Sequence, residues 1–305
     1  MFKNYEEIIA SVKKHEKKQR VAVVAADKSS VIEAAVEIAD AGLAEPILFG
    51  DKSYIEKAMK ELNVKYNFQI VDCKDDEASA HSAVDWAFEG KVDLILKGKL
   101  ETSTLVKAVL RKERGLKESE VLSDVLVYED PMAPANDKRL IGLTDGGLIP
   151  LPDLKTKIEM TKSAVAVFHK LGFEKPKVAY ISAVEKPTPK IQSTMDAAEI
   201  KRMYESGEFK IDAILDGPFA IDNVISKKSA EIKGIDSVMA GCADILVVPN
   251  IEAGNILGKL VTYYGNGNNG HVIMGAKVPI LITSRADDAK TKMYSVALGI
   301  VASMK

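Results

Sequence analysis

The sequence carries no excess of charge of either sign, and this absence limits the kinds of partner. Its 305 residues include 42 Lys and Arg against 44 Asp and Glu, a formal net charge of -2. Proteins that bind nucleic acids usually have a basic excess gathered on one face. We therefore expect no nucleic-acid partner.

Long apolar runs are also missing. No stretch approaches the roughly 18 apolar residues that cross a bilayer. The N-terminal sequence MFKNYEEIIASVKKHEKKQR is charged throughout and lacks the apolar core of a signal peptide. These features predict no membrane association and a cytoplasmic location.

Metal-binding and nucleotide-binding patterns are absent as well. The two cysteines, Cys73 and Cys242, lie far apart, and we expect both to be reduced and buried as small hydrophobic residues. The four histidines form no HxxH or HExxH pair, which disfavours a zinc site. No GxxxxGK[ST] loop exists, which disfavours a P-loop phosphotransferase. We expect no metal and no permanently bound cofactor.

One glycine motif is misleading. The sequence GNGNNG at 265–270 matches GxGxxG, but a dinucleotide fingerprint needs a strand before it and a helix after it. Here the helical pattern NILGKLVTYY precedes it. We interpret the segment as a flexible loop.

What the sequence does contain is a repeated alternation of short apolar runs and helical patterns. The runs are continuous rather than alternating, which is typical of parallel strands covered by helices on both faces. A segment near residue 130, rich in proline and glycine, predicts turns and a crossing between domains. The pattern therefore predicts two α/β units with a cleft between them. The predicted strands cover 20–26, 45–50, 68–72, 92–98, 177–182, 211–217, 243–250 and 278–285.

Ligands of open α/β sheets bind at the carboxyl ends of the strands, where helix N-termini attract anions. The loop 283–288 follows the last predicted strand and brings a hydroxyl, Ser284, next to a guanidinium, Arg285. This pair suits a phosphate or a developing oxyanion. A capping loop is the open alternative, with Ser284 or Asp287 as N-cap and Arg285 merely solvated.

A second loop, 249–260, follows the predicted strand 243–250. Gly254 permits a close approach of the backbone, and Asn255 can cap the following helix while facing a ligand. An ordinary strand-to-helix turn is the alternative.

Two further loops have weaker signals. In 97–107, Thr102 begins a helix and Lys107 lies within its first turns, so the loop is either an anion seat or a solvated surface. In 144–147, Thr144 and Asp145 precede two glycines, and turn formation alone could explain them.

Taken together and in this order, the loops resemble the phosphate acetyl/butyryltransferase family. The length and the segment AILDGPFAIDNVIS favour its butyryl branch over its acetyl branch. The similarity is carried by LKGKLETSTLVKAVLR, LTDGGLIPLPDLKTKIEM, AILDGPFAIDNVIS, ADILVVPNIEAGNILGKLVTYY and VPILITSRADDAKTKMYSVAL.

The resemblance implies a two-domain, three-layer α/β/α fold with mostly parallel sheets, similar to isocitrate and isopropylmalate dehydrogenases. It also implies an active site in the interdomain cleft and a homo-oligomer. The last strand and helix would rejoin the first domain. The expected domains are 1–145 plus 274–305, and 146–273.

The implied reaction converts a short acyl-CoA and phosphate into acyl phosphate and CoA, with butyryl-CoA favoured and acetyl-CoA as the alternative. Coenzyme A is thus a substrate rather than a cofactor. A non-catalytic module that senses acyl-CoA and a decarboxylating dehydrogenase of the same fold are the competing interpretations. We expect direct attack by the CoA thiolate rather than a covalent route through Cys242, which has no histidine nearby in sequence.

The resemblance also assigns residues. Ser284 and Arg285 match the Ser-Arg pair that the acetyl branch uses at its reaction centre, and Gly254 with Asn255 matches its ligand loop. The catalytic set is therefore Ser284, Arg285 and Asp288, and the substrate-binding set is Lys107, Thr102, Thr144, Gly254, Asn255 and Asp287.

Two positions depart from the acetyl branch. Lys107 replaces an arginine, which keeps the charge but loses bidentate recognition of phosphate. Thr291 stands where that branch has a catalytic aspartate, and Asp287 or Asp288, one turn earlier, could substitute for it.

Overall fold

The computed structural model describes residues 1–134, 136–283 and 288–304. The chain divides into two compact units, which we call the central unit and the flanking unit. The central unit comprises Met1–Asn4 and Val121–Gly267, and the flanking unit comprises Tyr5–Glu120 and Asn268–Lys305. Elements are numbered along the whole chain.

The flanking unit alternates helices and strands from its start. Its helices are α1 (Tyr5–Lys13), α2 (Ser29–Asp40), α3 (Lys52–Glu61), α4 (Asp76–Phe88), α5 (Thr102–Leu110) and α11 (Ala289–Ser303). Its strands are β1 (Gln19–Val24), β2 (Ala44–Gly50), β3 (Gln69–Asp72), β4 (Leu94–Lys97), β10 (Asn269–Met274) and β11 (Ile280–Leu281).

The strands of this unit form a sheet in the order β3-β2-β1-β4-β11-β10. All neighbours are parallel except β10, which is antiparallel to β11. Val21, Val23 and Leu96 are fully buried, as continuous apolar strands require. The predicted α/β class with a mostly parallel sheet is confirmed.

The central unit contains the remaining elements. Its helices are α6 (Leu154–Lys170), α7 (Gln192–Glu205), α8 (Ile221–Ile225), α9 (Lys227–Ile232) and α10 (Ile251–Tyr263). Its strands are β5 (Ser123–Glu129), β6 (Leu140–Thr144), β7 (Lys177–Ile181), β8 (Ile214–Phe219) and β9 (Ile245–Val247).

The central sheet has the order β5-β6-β9-β7-β8, and only its first pair, β5 with β6, is antiparallel. This hairpin occupies the segment where the sequence predicts turns and a domain crossing. The prediction missed it because every residue of both strands is buried, so neither strand shows the polar alternation of a hairpin.

The division into compact units differs from the expected domain limits mainly in residues 121–145. The sequence places them with the first domain, whereas the structure groups them with the central unit. The reason is strand pairing: Leu126 lies opposite Leu143 in the hairpin, and Thr144 lies opposite Val247 of β9.

The GxGxxG segment is not preceded by a strand. It follows α10, with the N–H groups of Gly265 and Gly267 donating to carbonyls of that helix, at Leu260 and Val261. The expectation of a loop over 265–270 is wrong at its end, because β10 begins at Asn269. The apolar run Val272-Ile273-Met274 that continues this strand explains the difference.

No helix among the described residues has both the length and the apolar character needed to cross a membrane.

One ion pair of the central unit lies in its interior. Lys157 of α6 and Asp196 of α7 have side chains that are 6% and 9% exposed, with Nζ 2.6 Å from Oδ2. The other carboxylate oxygen of Asp196 accepts a hydrogen bond from Gln192 at 2.8 Å. The pair therefore joins two helices, and neither charge can be removed without leaving its partner buried.

We expect Asp196→Ala to lower the free energy of unfolding by about 3–5 kcal/mol, because the ammonium of Lys157 would stay buried and uncompensated. Glu199→Ala is the matched control. Glu199 lies on the same helix but forms an exposed pair with Arg202, and such pairs contribute at most about 1 kcal/mol. Urea unfolding measures both values, and equal losses would contradict the prediction.

Candidate functional site

In the flanking unit, the carboxyl ends of three adjacent parallel strands, β1, β4 and β11, lie at one edge of the sheet. The chain leaves β4 through Gly98, where a Cβ atom would lie 2.3 Å from the carbonyl oxygen of Val24. Only glycine permits this close approach. The following residues, up to the start of α5, are therefore held against the end of β1.

Two predicted ligand-binding residues lie on α5. Thr102 is its first residue and is partly buried, and Lys107 is exposed, with no ion pair joining it to another described residue. The N-cap position, Glu101, provides no side-chain hydrogen bond to the first turn. The N-terminal amides of α5 thus lack a side-chain cap, which suits an anion seat. Binding by Thr102 and Lys107 stays a prediction.

The predicted reaction centre falls only partly within the described residues. Ser284, Arg285 and Asp287 lie outside them, between β11 and α11. Asp288 is described, and it is the N-cap of α11: its Oδ1 accepts the N–H of Thr291 at 2.8 Å. The alternative with Ser284 or Asp287 as N-cap is therefore wrong, because Asp288 occupies that position directly before the helix.

The environment of Asp288 does not resemble that of a strong base. Partial burial raises the pKa of its carboxyl group, but the hydrogen bonds from Thr291 and the nearby Lys292 and Lys290 outweigh burial and leave the pKa below its usual value. A catalytic role for Asp288 stays a prediction, and capping already explains its position.

Asp27 is another carboxylate at this edge of the sheet and was not among the predicted site residues. It follows β1, one of its oxygens lies 3.6 Å from Nζ of Lys99, and the other, Oδ1, is buried without a hydrogen-bond partner. Asp27 directly follows the predicted strand 20–26, and this position at the carboxyl end of a strand is the signal that could have found it.

In the central unit, the carboxyl end of β6 carries the fourth predicted loop. Thr144 is the last residue of the strand, is fully buried, and has a hydroxyl group without a hydrogen-bond partner. Its carbonyl accepts the N–H of Val248, which follows β9, at 2.9 Å. The loops after β6 and β9 therefore leave the sheet side by side.

Asp145, directly after Thr144, is 1% exposed and accepts three backbone hydrogen bonds. Its Oδ1 accepts from Gly147 at 2.8 Å and from Leu148 at 2.7 Å, and its Oδ2 accepts from Asp124 at 2.7 Å. Burial, with a contribution from the charge of Asp124, raises the pKa of Asp145 to about 6 despite these donors. From the sequence, Asp145 was expected only to form a turn.

The two loops meet at a pair of glycines. A Cβ atom on Gly254 would lie 2.6 Å from the carbonyl oxygen of Asp145 and 2.7 Å from Cα of Gly146. The predicted close approach at Gly254 is thus present, and it is made to protein backbone. One residue further, Nδ2 of Asn255 donates to the carbonyl oxygen of Gly146 at 3.2 Å.

Asn255 does not cap α10. That role belongs to Asn250, whose Oδ1 accepts the N–H of Ala253 at 2.9 Å. The expectation of Asn255 as a cap is wrong because the helix begins at Ile251, directly after the strand-to-helix turn. Asn255 is instead an exposed residue of the second helical turn.

A groove of about 570 Å³ opens next to these loops, where α6, α7 and α10 begin. The buried pair Lys157–Asp196 lies at its wall. Its lining residues are Leu151, Pro152, Asp153, Leu154, Lys157, Gln192, Ser193, Asp196, Pro249 and Asn250.

Comparison with known proteins gives a consistent picture. The family model described as "Phosphate acetyl/butaryl transferase" matches residues 4–89 and 78–300. The chain belongs to this family.

Relatives of both branches of the phosphate acetyl/butyryltransferase family are similar over nearly their whole length. Phosphate butyryltransferase of Clostridium beijerinckii is 37% identical over 100% of this chain and 99% of its own. Phosphate acetyltransferase of Thermotoga maritima is 40% identical over 93% of this chain and 95% of its own. The predicted family is confirmed.

Solved structures agree with this assignment. A branched-chain phosphotransacylase from Enterococcus faecalis V583 is 30% identical with a TM-score of 0.82, covering 93% of this chain and 99% of its own. A putative 4-hydroxythreonine-4-phosphate dehydrogenase from Salmonella typhimurium, 13% identical, has a TM-score of 0.56 over 94% of this chain and 100% of its own. The second likeness concerns the fold alone and confirms the expected dehydrogenase-like architecture.

Among the residues that the structure describes, no group of three or more His, Cys, Asp or Glu side chains is placed to hold a metal ion. Of the two cysteines, Cys73 is buried, which raises the pKa of its thiol. Cys242 is only partly buried, and its sulfur lies 3.1 Å from Nζ of Lys177. The expectation of a fully buried Cys242 is therefore wrong.

We expect Gly254→Ala to destabilise the central unit by about 1–3 kcal/mol, because the added methyl group meets backbone atoms that cannot rotate away. Gly258→Ala, one turn later on α10, is the control, since its methyl group would meet the flexible side chains of Leu126 and Leu143. Urea unfolding compares the two, and a Gly254→Ala protein as stable as the control would refute the close approach.

Proposed function

We propose that this chain is a phosphate acyltransferase that interconverts a short acyl-CoA and phosphate with acyl phosphate and CoA, and that it prefers butyryl-CoA. The observation that carries the proposal is the full-length similarity to proteins named for this reaction, with 37% and 40% identity to two phosphate butyryltransferases. The acetyl alternative has its own support, since a phosphate acetyltransferase is 40% identical.

The reaction is acyl transfer and needs no oxidant or reductant. In the direction of CoA acylation, the thiolate sulfur attacks the carbonyl carbon of the acyl phosphate. A carbon–sulfur bond forms, the bond from carbon to the phosphate oxygen breaks, and phosphate leaves with the electron pair. The reverse direction uses the same steps, and no acyl-enzyme is formed.

The transition state places negative charge on the carbonyl oxygen and on the departing phosphate. In this proposal, Ser284 donates a hydrogen bond to that oxygen and Arg285 binds the phosphate. Lys107 and the uncapped amides at Thr102 bind a further anionic group of the substrates.

The central unit contributes polar groups for the CoA substrate. Asn255 is exposed on α10, and the hydroxyl group of Thr144 has no protein partner. Gly254 lets α10 approach the turn at Gly146 closely enough for Asn255 to reach it. We assign Asn255 and Thr144 to substrate binding.

The thiol must lose its proton before it attacks. A thiol with a pKa of about 8.5 is only partly ionised near neutrality, so a base or a positive field increases the reactive fraction. The lowered pKa of Asp288 makes it a weak base. We therefore assign thiol activation mainly to the cations Arg285 and Lys107. Asp287 and Asp288 have a supporting part in it.

A homo-oligomer stays a prediction.

The proposal predicts phosphate-dependent release of CoA thiol from acyl-CoA. Acetyl-, propionyl- and butyryl-CoA would be compared with and without phosphate, and thiol would be measured by a colorimetric reagent. A pocket that buries both additional methylenes of butyryl-CoA gains about 0.8 kcal/mol for each, so butyryl-CoA should exceed acetyl-CoA in kcat/KM by about tenfold. CoA binding without any phosphate-dependent release would instead favour a sensing module.

Ser284→Ala and Arg285→Ala should each lower kcat by roughly a hundredfold or more, as expected for the loss of one donor to a developing oxyanion or phosphate. Arg202→Ala is the matched arginine control, because Arg202 pairs with Glu199 and Glu208 on the surface of α7 and its C-terminal turn. Near-wild-type turnover of folded Arg285→Ala would overturn its assignment.

A further inference from the structure

We propose that Asp145 is a positioning residue of this enzyme: its carboxylate fixes the turn at 145–148, so that the carbonyl of Gly146 holds the side-chain amide of Asn255 in one orientation. The inference rests on the proposed function, since it concerns how one substrate-binding side chain is presented. Asp145 itself is buried.

The carboxylate connects two parts of the chain that are distant in sequence. One oxygen accepts the N–H of Asp124, on β5, at 2.7 Å. The other accepts the N–H groups of Gly147 and Leu148 at 2.8 and 2.7 Å. The turn is therefore tied to a buried strand by a group that can only accept hydrogen bonds when ionised.

The turn at 145–148 also contacts the backbone of α10 directly. A Cβ atom on Gly146 would lie 2.8 Å from the carbonyl carbon of Gly254 and 3.2 Å from the backbone nitrogen of Asn255. Such a contact leaves no room for the turn to shift towards the helix. The position of the Gly146 carbonyl is thus fixed by the hydrogen bonds of Asp145 to the turn and by the backbone contact with Gly254.

The carbonyl of Gly146 decides which way the amide of Asn255 faces. An amide nitrogen donates and an amide oxygen accepts, so the contact of 3.2 Å requires Nδ2 to face Gly146. Oδ1 then faces away from the turn as a hydrogen-bond acceptor on an exposed side chain. It suits a donor on the substrate, such as an amide N–H of the CoA arm or its thiol.

The charge of Asp145 matters to this arrangement. Burial and the nearby Asp124 raise its pKa to about 6, so above that pH it is an anion with two accepting oxygens. In Asp145→Asn, an NH2 group would replace one oxygen and oppose either the N–H of Asp124 or the N–H groups of the turn. The variant keeps the shape of the side chain and removes the hydrogen bonds on one of its two sides, because an amide has only one accepting oxygen.

A double-mutant cycle tests the coupling. Asp145→Asn, Asn255→Ala and the double variant would be assayed for acyl transfer to CoA, with kcat and KM for CoA determined separately. We expect each single variant to lower kcat/KM by about threefold to tenfold, as for the loss of one hydrogen bond of a neutral amide. The double variant should lie within about twofold of Asn255→Ala alone, because the two losses are one effect.

Asp153→Asn is the matched control. Asp153 caps α6 through the N–H of Thr156, at 2.8 Å, and asparagine caps helices equally well. We expect unchanged kinetics. The inference would be overturned if the two losses in kcat/KM multiplied in the double variant, or if Asp145→Asn had wild-type kinetics. Either result would leave the proposed function intact, because the unsubstituted enzyme would still be active. A wild-type protein without acyl transfer would refute both.

A second variant covers the case in which Asp145→Asn does not fold, as judged by circular dichroism. Asn255→Asp keeps the size of an exposed side chain but replaces the donor to Gly146 with an acceptor. We expect its kcat/KM to fall as far as that of Asn255→Ala. Wild-type kinetics for Asn255→Asp would show that the orientation set by Gly146 is irrelevant and would overturn the inference.

Discussion

The contact between the backbones of Gly146 and Gly254 is the constraint on which the central unit's polar edge depends. It brings the turn after β6 against the first turn of α10 with no side chain between them. Because the two segments touch directly, hydrogen bonds made by one determine what the other presents. The carboxylate of Asp145 accepts the N–H of Asp124, and the amide of Asn255 donates to the carbonyl of Gly146.

The flanking unit also has a close backbone contact at a glycine. There, Gly98 brings the chain against the end of β1, and the following helix begins without a side-chain cap. One edge therefore offers free backbone amides and lysine, and the other offers neutral hydroxyl and amide groups.

The parallel strands β1 to β4 of the flanking unit were predictable, because continuous apolar runs such as Val21-Ala22-Val23-Val24 leave few alternatives to a buried parallel strand. The hairpin of β5 and β6 was not, since burial on both faces removes the alternation that marks antiparallel strands. The rule that ligands bind at the carboxyl ends of strands identified the loops. It did not reveal the hydrogen bonds of Asp145, because its partner Asp124 is distant in sequence. The cap lies at Asn250 rather than at the predicted Asn255, and finding it required knowing where α10 begins.

The interrupted path of the chain through the flanking unit has a consequence for biosynthesis. β11 lies between β4 and β10, so the interior of that sheet is incomplete until residues 280–281 leave the ribosome. The central unit, apart from Met1–Asn4, is continuous from Val121 to Gly267 and is available earlier. During synthesis, the segment Tyr5–Glu120 therefore has an unpaired β4 edge until that point, and unpaired strand edges favour misassembly.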